Sequence, residues 1–117
     1  MARPMTELSQ IQPVAPLADP ATAADVDPIF ALIDTASRTT TVLPRTRDNL
    51  CEKIRDFLVI RERGEIVACG ALGVFTQGLA VIKSLVTAPG VRGRGFGSAM
   101  VLELVREARR LGIRRVF

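Results

Sequence analysis

The sequence predicts an α/β domain of layered α+β type, a mixed sheet with helices packed on it in the order β-α-α-β-β-β-α-β. Three observations lead there. The apolar period changes from 3.6 to 2 at Phe57, the mark of a passage from helices to strands. Three period-2 segments then follow one another across short polar turns, which makes an antiparallel meander. Last, a loop rich in glycine and arginine opens a long amphipathic helix that leads to one more apolar run. Strand, helix and strand in that order form a right-handed crossover, so the final strand lies parallel to the one before the loop.

Residues 1–13 are polar, contain Pro4 and Pro13, and read as a flexible N-terminal tail ahead of a domain spanning 14–117. From Val14 to Ala21 apolar positions alternate but Pro16 and Pro20 interrupt them, which suits a weak edge strand. Val26, Ile29, Phe30, Leu32 and Ile33 recur at helical spacing. Asp25 is a better cap for that helix than Thr22, because it puts Pro28 in the first turn, where a missing N–H is harmless. Thr35 to Thr41 reads as a loop, and a second helix covers roughly Arg47 to Arg55 with Leu50, Cys51 and Ile54 apolar. The meander comprises Phe57–Ile60, Ile66–Phe75 and Leu79–Thr87, turning at Glu62–Glu65 and at Thr76–Gly78. On the third strand Val81, Lys83 and Leu85 share one face and Ala80, Ile82 and Ser84 the other. Met100, Val101, Leu104, Val105, Ala108 and Leu111 form the stripe of the long helix, Gly112 stops it, and Ile113–Phe117 starts the last strand.

Composition narrows the function. The chain has 117 residues, 48% hydrophobic, enough for one packed domain and not for two. Of its sixteen Lys and Arg only Lys53 and Lys83 are lysines, and the net charge of +4 suits anionic partners. There is no histidine and no CxxC pair, so a zinc site or a histidine-based triad has nothing to be built from, and no metal is expected. Two isolated cysteines and an N-terminus without an apolar stretch predict a cytoplasmic protein. No apolar run approaches the ~20 residues that span a bilayer, so no membrane role is expected.

The informative segment is Val86-Thr-Ala-Pro-Gly-Val-Arg-Gly-Arg-Gly-Phe-Gly-Ser98. Gly93, Gly95 and Gly97 remove side chains where backbone N–H groups point outward, and the following helix adds its positive end. Such a loop cradles an anion, a pyrophosphate by size, with Arg92 and Arg94 available for further phosphate contacts. A Walker A loop would need lysine before Ser98. A dinucleotide fingerprint would need an opening βαβ unit and glycine in place of Ser98. One RGRG run leading into an apolar-striped helix, with 4% aromatics, does not make an RNA-binding tract, and no nucleic-acid partner is expected.

At these residues the sequence resembles motif A of the GCN5-related N-acetyltransferases (GNAT), whose pattern Arg/Gln-x-x-Gly-x-Gly/Ala is met by Arg92, Gly95 and Gly97. The resemblance implies a GNAT-like mixed sheet and acetyl-CoA as co-substrate. It implies that backbone groups of Leu85, Val86 and Thr87 pair with pantetheine, and that the amides of Arg92, Gly93, Arg94, Gly95, Phe96, Gly97 and Ser98 hold the pyrophosphate. Upstream, Leu43-Pro-Arg-Thr-Arg-Asp-Asn-Leu50, Ile54-Arg-Asp-Phe57 and Ala68-Cys-Gly-Ala-Leu72 are similar to the acetyltransferase domain of N-acetylglutamate synthases. That similarity implies an amino acid, glutamate above all, as acceptor, with Arg45 or Arg47 facing its carboxylate through a planar guanidinium. Lys83 and Ser84 are expected to line the pocket.

Two departures stand against the family pattern. Val81 occupies the strand position where members usually carry a glutamate that helps deprotonate the amine, and the chain has no tyrosine to protonate a departing thiolate. No catalytic residue is therefore assigned. Aminolysis of a thioester relies mainly on alignment and on a carbonyl polarised by an N–H near Val86. The C-terminal part of the GNAT fold is expected to be lacking after Phe117. A homodimer would cover the sheet edge and helix face so exposed. A different amine acceptor, or a non-catalytic acetyl-CoA-binding fragment, are the alternative readings.

Overall fold

The computed structural model describes residues 17–117. The tail at 1–13 and the expected strand start at Val14 lie outside the described residues. Five strands form one sheet in sequence order: β1 (Ala18–Pro20), β2 (Phe57–Glu62), β3 (Glu65–Thr76), β4 (Leu79–Thr87) and β5 (Arg115–Val116). β1 to β4 are antiparallel, and β5 runs parallel to β4 with Leu79 opposite Arg115 and Ala80 opposite Val116. Three helices, α1 (Val26–Thr39), α2 (Arg47–Lys53) and α3 (Phe96–Arg110), complete the expected order. No described helix is long and apolar enough to cross a membrane.

The sheet has a core on each face because period-2 strands carry apolar residues on both. Phe57, Val59, Cys69, Ala71 and Val86 pack with Ile29, Ile33 and Ala36 of α1 and Leu50 of α2. On the opposite face Ile60, Ala68, Leu72 and Ala80 pack with Met100, Leu104 and Ala108 of α3. Glycine at position 70 lets α3 come close: a Cβ added there would lie 2.8 Å from Leu104 Cδ1 and 3.0 Å from Met100 Cγ.

At the entry to α1, Thr22 and Asp25 act together. A 3-10 turn over Ala23–Asp25 precedes the α-helix, which starts at Val26 and has Pro28 in its first turn. Asp25 Oδ2 accepts from the Thr22 N–H at 2.8 Å, and both Asp25 oxygens accept from Arg61 Nη2 at 2.9 Å. Only 4% of Asp25 is exposed. Burial pushes its carboxyl pKa up, but the Thr22 N–H, the Arg61 hydrogen bonds and the Arg61 charge outweigh it and hold the group below its ordinary value.

Several expectations are corrected. The segment 35–41 is not a loop: α1 continues to Thr39. Its hydroxyls bond backwards instead of opening the turn, Ser37 Oγ to the Asp34 carbonyl at 2.8 Å and Thr40 Oγ1 to the Ala36 carbonyl at 2.7 Å. Helix α2 stops at Lys53 and passes into a 3-10 turn over Ile54–Asp56; Leu50 is buried while Cys51 faces solvent. Leu111 lies beyond α3 and is 49% exposed, so the buried stripe comprises Met100, Leu104 and Ala108.

The strict alternation expected on β4 also fails, for a local reason. Ser84 has φ +53°, and the register passes from Lys83 opposite Ala71 to Val86 opposite Cys69. Ser84 and Leu85 together therefore face the single residue Gly70, a β-bulge that inverts the strand's parity. Leu85 joins Ala80 and Ile82 on the α3 side, and Ser84 turns toward the α1 and α2 side with Lys83. Beneath the bulge, the Cys69 thiol donates to the Ser84 carbonyl at 3.5 Å, and burial pushes its pKa up to about 12.

Three stability outcomes follow. Because the folded-state pKa of Asp25 is depressed, its contribution is complete above the unfolded value of 3.8 and is lost as pH falls through the lower folded value. Urea midpoints measured from pH 7 to pH 2 are expected to fall less steeply at the acid end for Asp25→Asn than for wild type. At neutral pH Arg61→Ala is expected to cost about 1–3 kcal/mol by taking from the buried carboxylate its charged hydrogen-bond partner. Gly70→Val is expected to cost about 1–3 kcal/mol by overpacking against Leu104 and Met100, seen as a lower urea midpoint.

Candidate functional site

The β4–α3 connection is built to leave its amides free. After a 3-10 turn over Pro89–Val91, Gly93 has φ +82° and Gly95 φ +85°, left-handed conformations that favour glycine. Gly95 is the residue that caps α3, so the first helical amides begin immediately after it. The N–H groups of Arg92 and Arg94 turn inward to the carbonyls of Pro89 and Val91, while that of Ala99 is the first to bond back, to Gly95. Among the described residues the amides of Gly93, Gly95, Phe96, Gly97 and Ser98 find no backbone or side-chain acceptor, as expected for a helix start.

These groups border a cleft of about 330 Å³ lined by Thr87, Val91, Arg92, Gly93, Gly95, Phe96, Gly97 and Ser98. Arg92 also lines a second cleft against Thr35 and Thr39 of α1, and so forms the wall between the two. Arg94 does not line either. Its guanidinium is engaged by Glu62 at the end of β2, with Nη1 to Oε1 at 2.9 Å and Nη2 to Oε2 at 2.5 Å, and it lies 5.1 Å from the centre of the Phe96 ring. The pairing holds the Glu62 carboxyl below its ordinary pKa and raises that of Arg94.

A different cleft lies on the α1 and α2 side of β4. Arg45 Nε donates to Ser84 Oγ at 2.8 Å, Arg45 Nη1 donates to Asn49 Oδ1 at 2.9 Å, and the guanidinium sits 5.1 Å from the centre of the Phe57 ring. Held this way, Arg45 lines a cleft of about 250 Å³ together with Asn49, Lys53, Asp56, Phe75 and Lys83. Arg47 is directed elsewhere, with Nε on Asp27 Oδ1 at 3.0 Å and the guanidinium 4.1 Å from the centre of the Phe30 ring. The bulge thus brings Arg45, Lys83 and Ser84 together and leaves Arg47 out.

Four participants were not read from the sequence. Asn49 stands four residues after Arg45 across the start of α2, a spacing that pairs side chains and was a usable signal. Lys53 and Asp56 enter because the helix gives way to a 3-10 turn at Ile54, and Glu62 enters from a strand 32 positions before Arg94; neither had a local signal.

Residues 24–117 match the acetyltransferase (GNAT) family. The chain belongs to this family. An amino-acid acetyltransferase of Mycobacterium tuberculosis is 33% identical over 105 residues, covering 87% of this chain and 60% of that protein. One from Ralstonia nicotianae is 34% identical over 98 residues, or 83% of this chain and 22% of that protein. The chain therefore spans less than two thirds of the length of either. Among GNAT structures, the fold superposes with a TM-score of 0.81 on N-acetylglutamate synthase from Neisseria gonorrhoeae complexed with coenzyme A and N-acetyl-glutamate. That match is 27% identical and covers 85% of this chain and 24% of the synthase.

The two loop glycines separate conformational from steric demands. A Cβ at Gly95 would meet nothing within 4 Å, so Gly95→Ala is expected to cost about 1–2 kcal/mol purely through its left-handed backbone. Gly97 is helical and its added Cβ would make an ordinary 3.8 Å contact with Thr87, so Gly97→Ala is expected to stabilise by up to about 1 kcal/mol. Chemical denaturation of both variants measures the contrast.

Proposed function

We propose that this chain carries the acetyl-CoA-binding part of an N-acetyltransferase that acetylates the α-amine of an amino acid. The acceptor is L-glutamate, the reaction that opens arginine biosynthesis, and the setting is the cytoplasm. The domain comprises residues 14–117. The observation that carries the reading is the double use of β4. Its end feeds the glycine loop with its outward amides, while Lys83 lines a separate cationic cleft and the bulge turns Ser84 to the Arg45 that lines it too.

The loop fits a pyrophosphate on its own chemistry. The free amides of Gly93, Gly95, Phe96, Gly97 and Ser98 and the positive end of α3 suit a compact dianion, and Arg92 adds a charge at the cleft wall. Backbone groups of Leu85, Val86 and Thr87 continue from it along the strand and are the groups to pair with pantetheine. The bulge supports this, because Ser84 and Leu85 share the single residue Gly70 and leave the β3 ladder irregular where the pantetheine contacts begin. When bound, acetyl-CoA supplies an activated acyl group: the acceptor nitrogen gains the C–N bond as the C–S bond breaks.

In the acceptor cleft Arg45 is the carboxylate-binding residue, with Lys83 beside it. Two hydrogen bonds and the Phe57 ring hold Arg45 before any ligand arrives, which lowers the ordering cost of binding. The amine must be neutral to attack. No carboxylate stands at Val81 to take its proton, so water carries it and the rate follows the fraction of free amine as pH rises.

Titration calorimetry of the 117-residue chain with acetyl-CoA and with CoA is the test. Arg92→Ala is expected to weaken binding about tenfold, and Gly95→Val to abolish it. In turnover with glutamate, Arg45→Ala is expected to raise the acceptor KM about 10- to 100-fold without changing that for acetyl-CoA, while Arg47→Ala leaves both unchanged. Equal effects of the two arginine changes would overturn the acceptor assignment.

A further inference from the structure

The glycine loop has little packing of its own to hold it. A Cβ added at Gly93 or at Gly95 would touch nothing within 4 Å, and the left-handed backbone at both positions bends the chain on either side of Arg94. Across residues 92–95 the side-chain hydrogen bonds to the rest of the described residues are the two from Arg94 to Glu62. These are parallel and bidentate, the geometry in which an exposed Arg–carboxylate pair becomes more than a transient surface contact. The Phe96 ring, partly buried against the α3 core, backs the same guanidinium.

Glu62 is itself well fixed. It closes β2 opposite Glu65, and the turn that follows has Arg63 at φ +54° and Gly64 at φ +81°, the pair of left-handed residues of a tight type I′ hairpin. The loop is thereby tied to the tight hairpin that joins β2 to β3. The charges also matter. Paired with Glu62, Arg94 brings no net charge to the loop, and Arg92, which lines the cleft, is the guanidinium left to face an anion.

We infer that Glu62 is a positioning residue for the phosphate-binding loop: it clasps Arg94, and the clasp, not a contact of Arg94 with the ligand, keeps the free amides of Gly93 and of residues 95–98 converging on the cleft. This rests on the reading of that cleft as the CoA phosphate site. Simple electrostatics makes the opposite forecast, because removing a carboxylate near an anionic ligand should tighten binding.

The experiment measures CoA affinity by calorimetry in wild type, Glu62→Gln, Arg94→Gln, the double variant, and the charge-swapped pair Glu62→Arg with Arg94→Glu. Each single change is expected to weaken binding about three- to tenfold, and the double to be no worse than either single. The swapped pair is expected to recover most of the loss, although it puts an acidic residue into the loop. Limited trypsin digestion without ligand, followed by mass spectrometry, reads the loop directly, since Arg92 is a cleavage site within it. Cleavage after Arg92 is expected to be several-fold faster in Glu62→Gln than in wild type, and restored in the swapped pair.

Affinity that is unchanged or tighter in Glu62→Gln overturns the inference. So does a swapped pair weaker than Arg94→Gln alone, which would make Arg94 a direct phosphate ligand. If wild type fails to bind CoA, the cofactor reading falls, and the clasp is then decided by the trypsin arm, where an unchanged cleavage rate overturns it.

Discussion

The close crossing of α3 over β3 at Gly70 is the constraint on which the site depends. Without a side chain at that position, Leu104 and Met100 reach the strand's backbone, and the neighbouring strand fills the gap with Leu85, whose Cδ1 lies 3.4 Å from where a Cβ would be. For Leu85 to point that way, β4 must hold an extra residue, and the strain is taken by Ser84 at φ +53°. The inverted parity turns Ser84 toward Arg45 and carries Val86 into the core on the α1 and α2 side. A packing requirement on one face of the sheet thus determines which polar groups are offered on the other.

The two clefts divide the electrostatic work differently. At the glycine loop the useful positive charge is carried largely by backbone N–H groups, which need no side-chain ordering and tolerate only small residues around them. In the cleft at Arg45 the positive charge is carried by long side chains, Arg45, Lys53 and Lys83, and these must be held if they are to discriminate. Ser84 and Asn49 perform that holding for Arg45. Asp56 at the same cleft keeps it from being uniformly cationic and gives it two ends of unlike character.

Much of this was legible in the sequence, for physical reasons that can be named. The switch of period at Phe57, the Arg63-Gly64 turn and the glycine loop are local signals, and the strands, the hairpin and the start of α3 stand where those signals put them. The end of α1 was misread because Ser and Thr have two uses of a hydroxyl, opening a turn or bonding back into one, and composition does not distinguish them. The bulge had one faint signal, the adjacent polar pair Lys83-Ser84, but its cause, Gly70, lies on another strand. Arg45 and Arg47 looked alike in sequence, and only Asp27 and Ser84, from distant segments, divide their roles. The pairing of Arg94 with Glu62 was illegible for the same reason: the partner is non-local.

The two cysteines differ in a way that makes the protein report on itself. Cys69 lies fully buried under the bulge with its thiol held in the protonated form, while Cys51 stands exposed on α2, two residues from both Asn49 and Lys53. An alkylating dye therefore meets a single accessible thiol in the folded chain, beside the cleft at Arg45, and a second only when β3 and β4 part. One natural thiol is a handle for watching the cleft fill, and the other a clock for the opening of the sheet behind it.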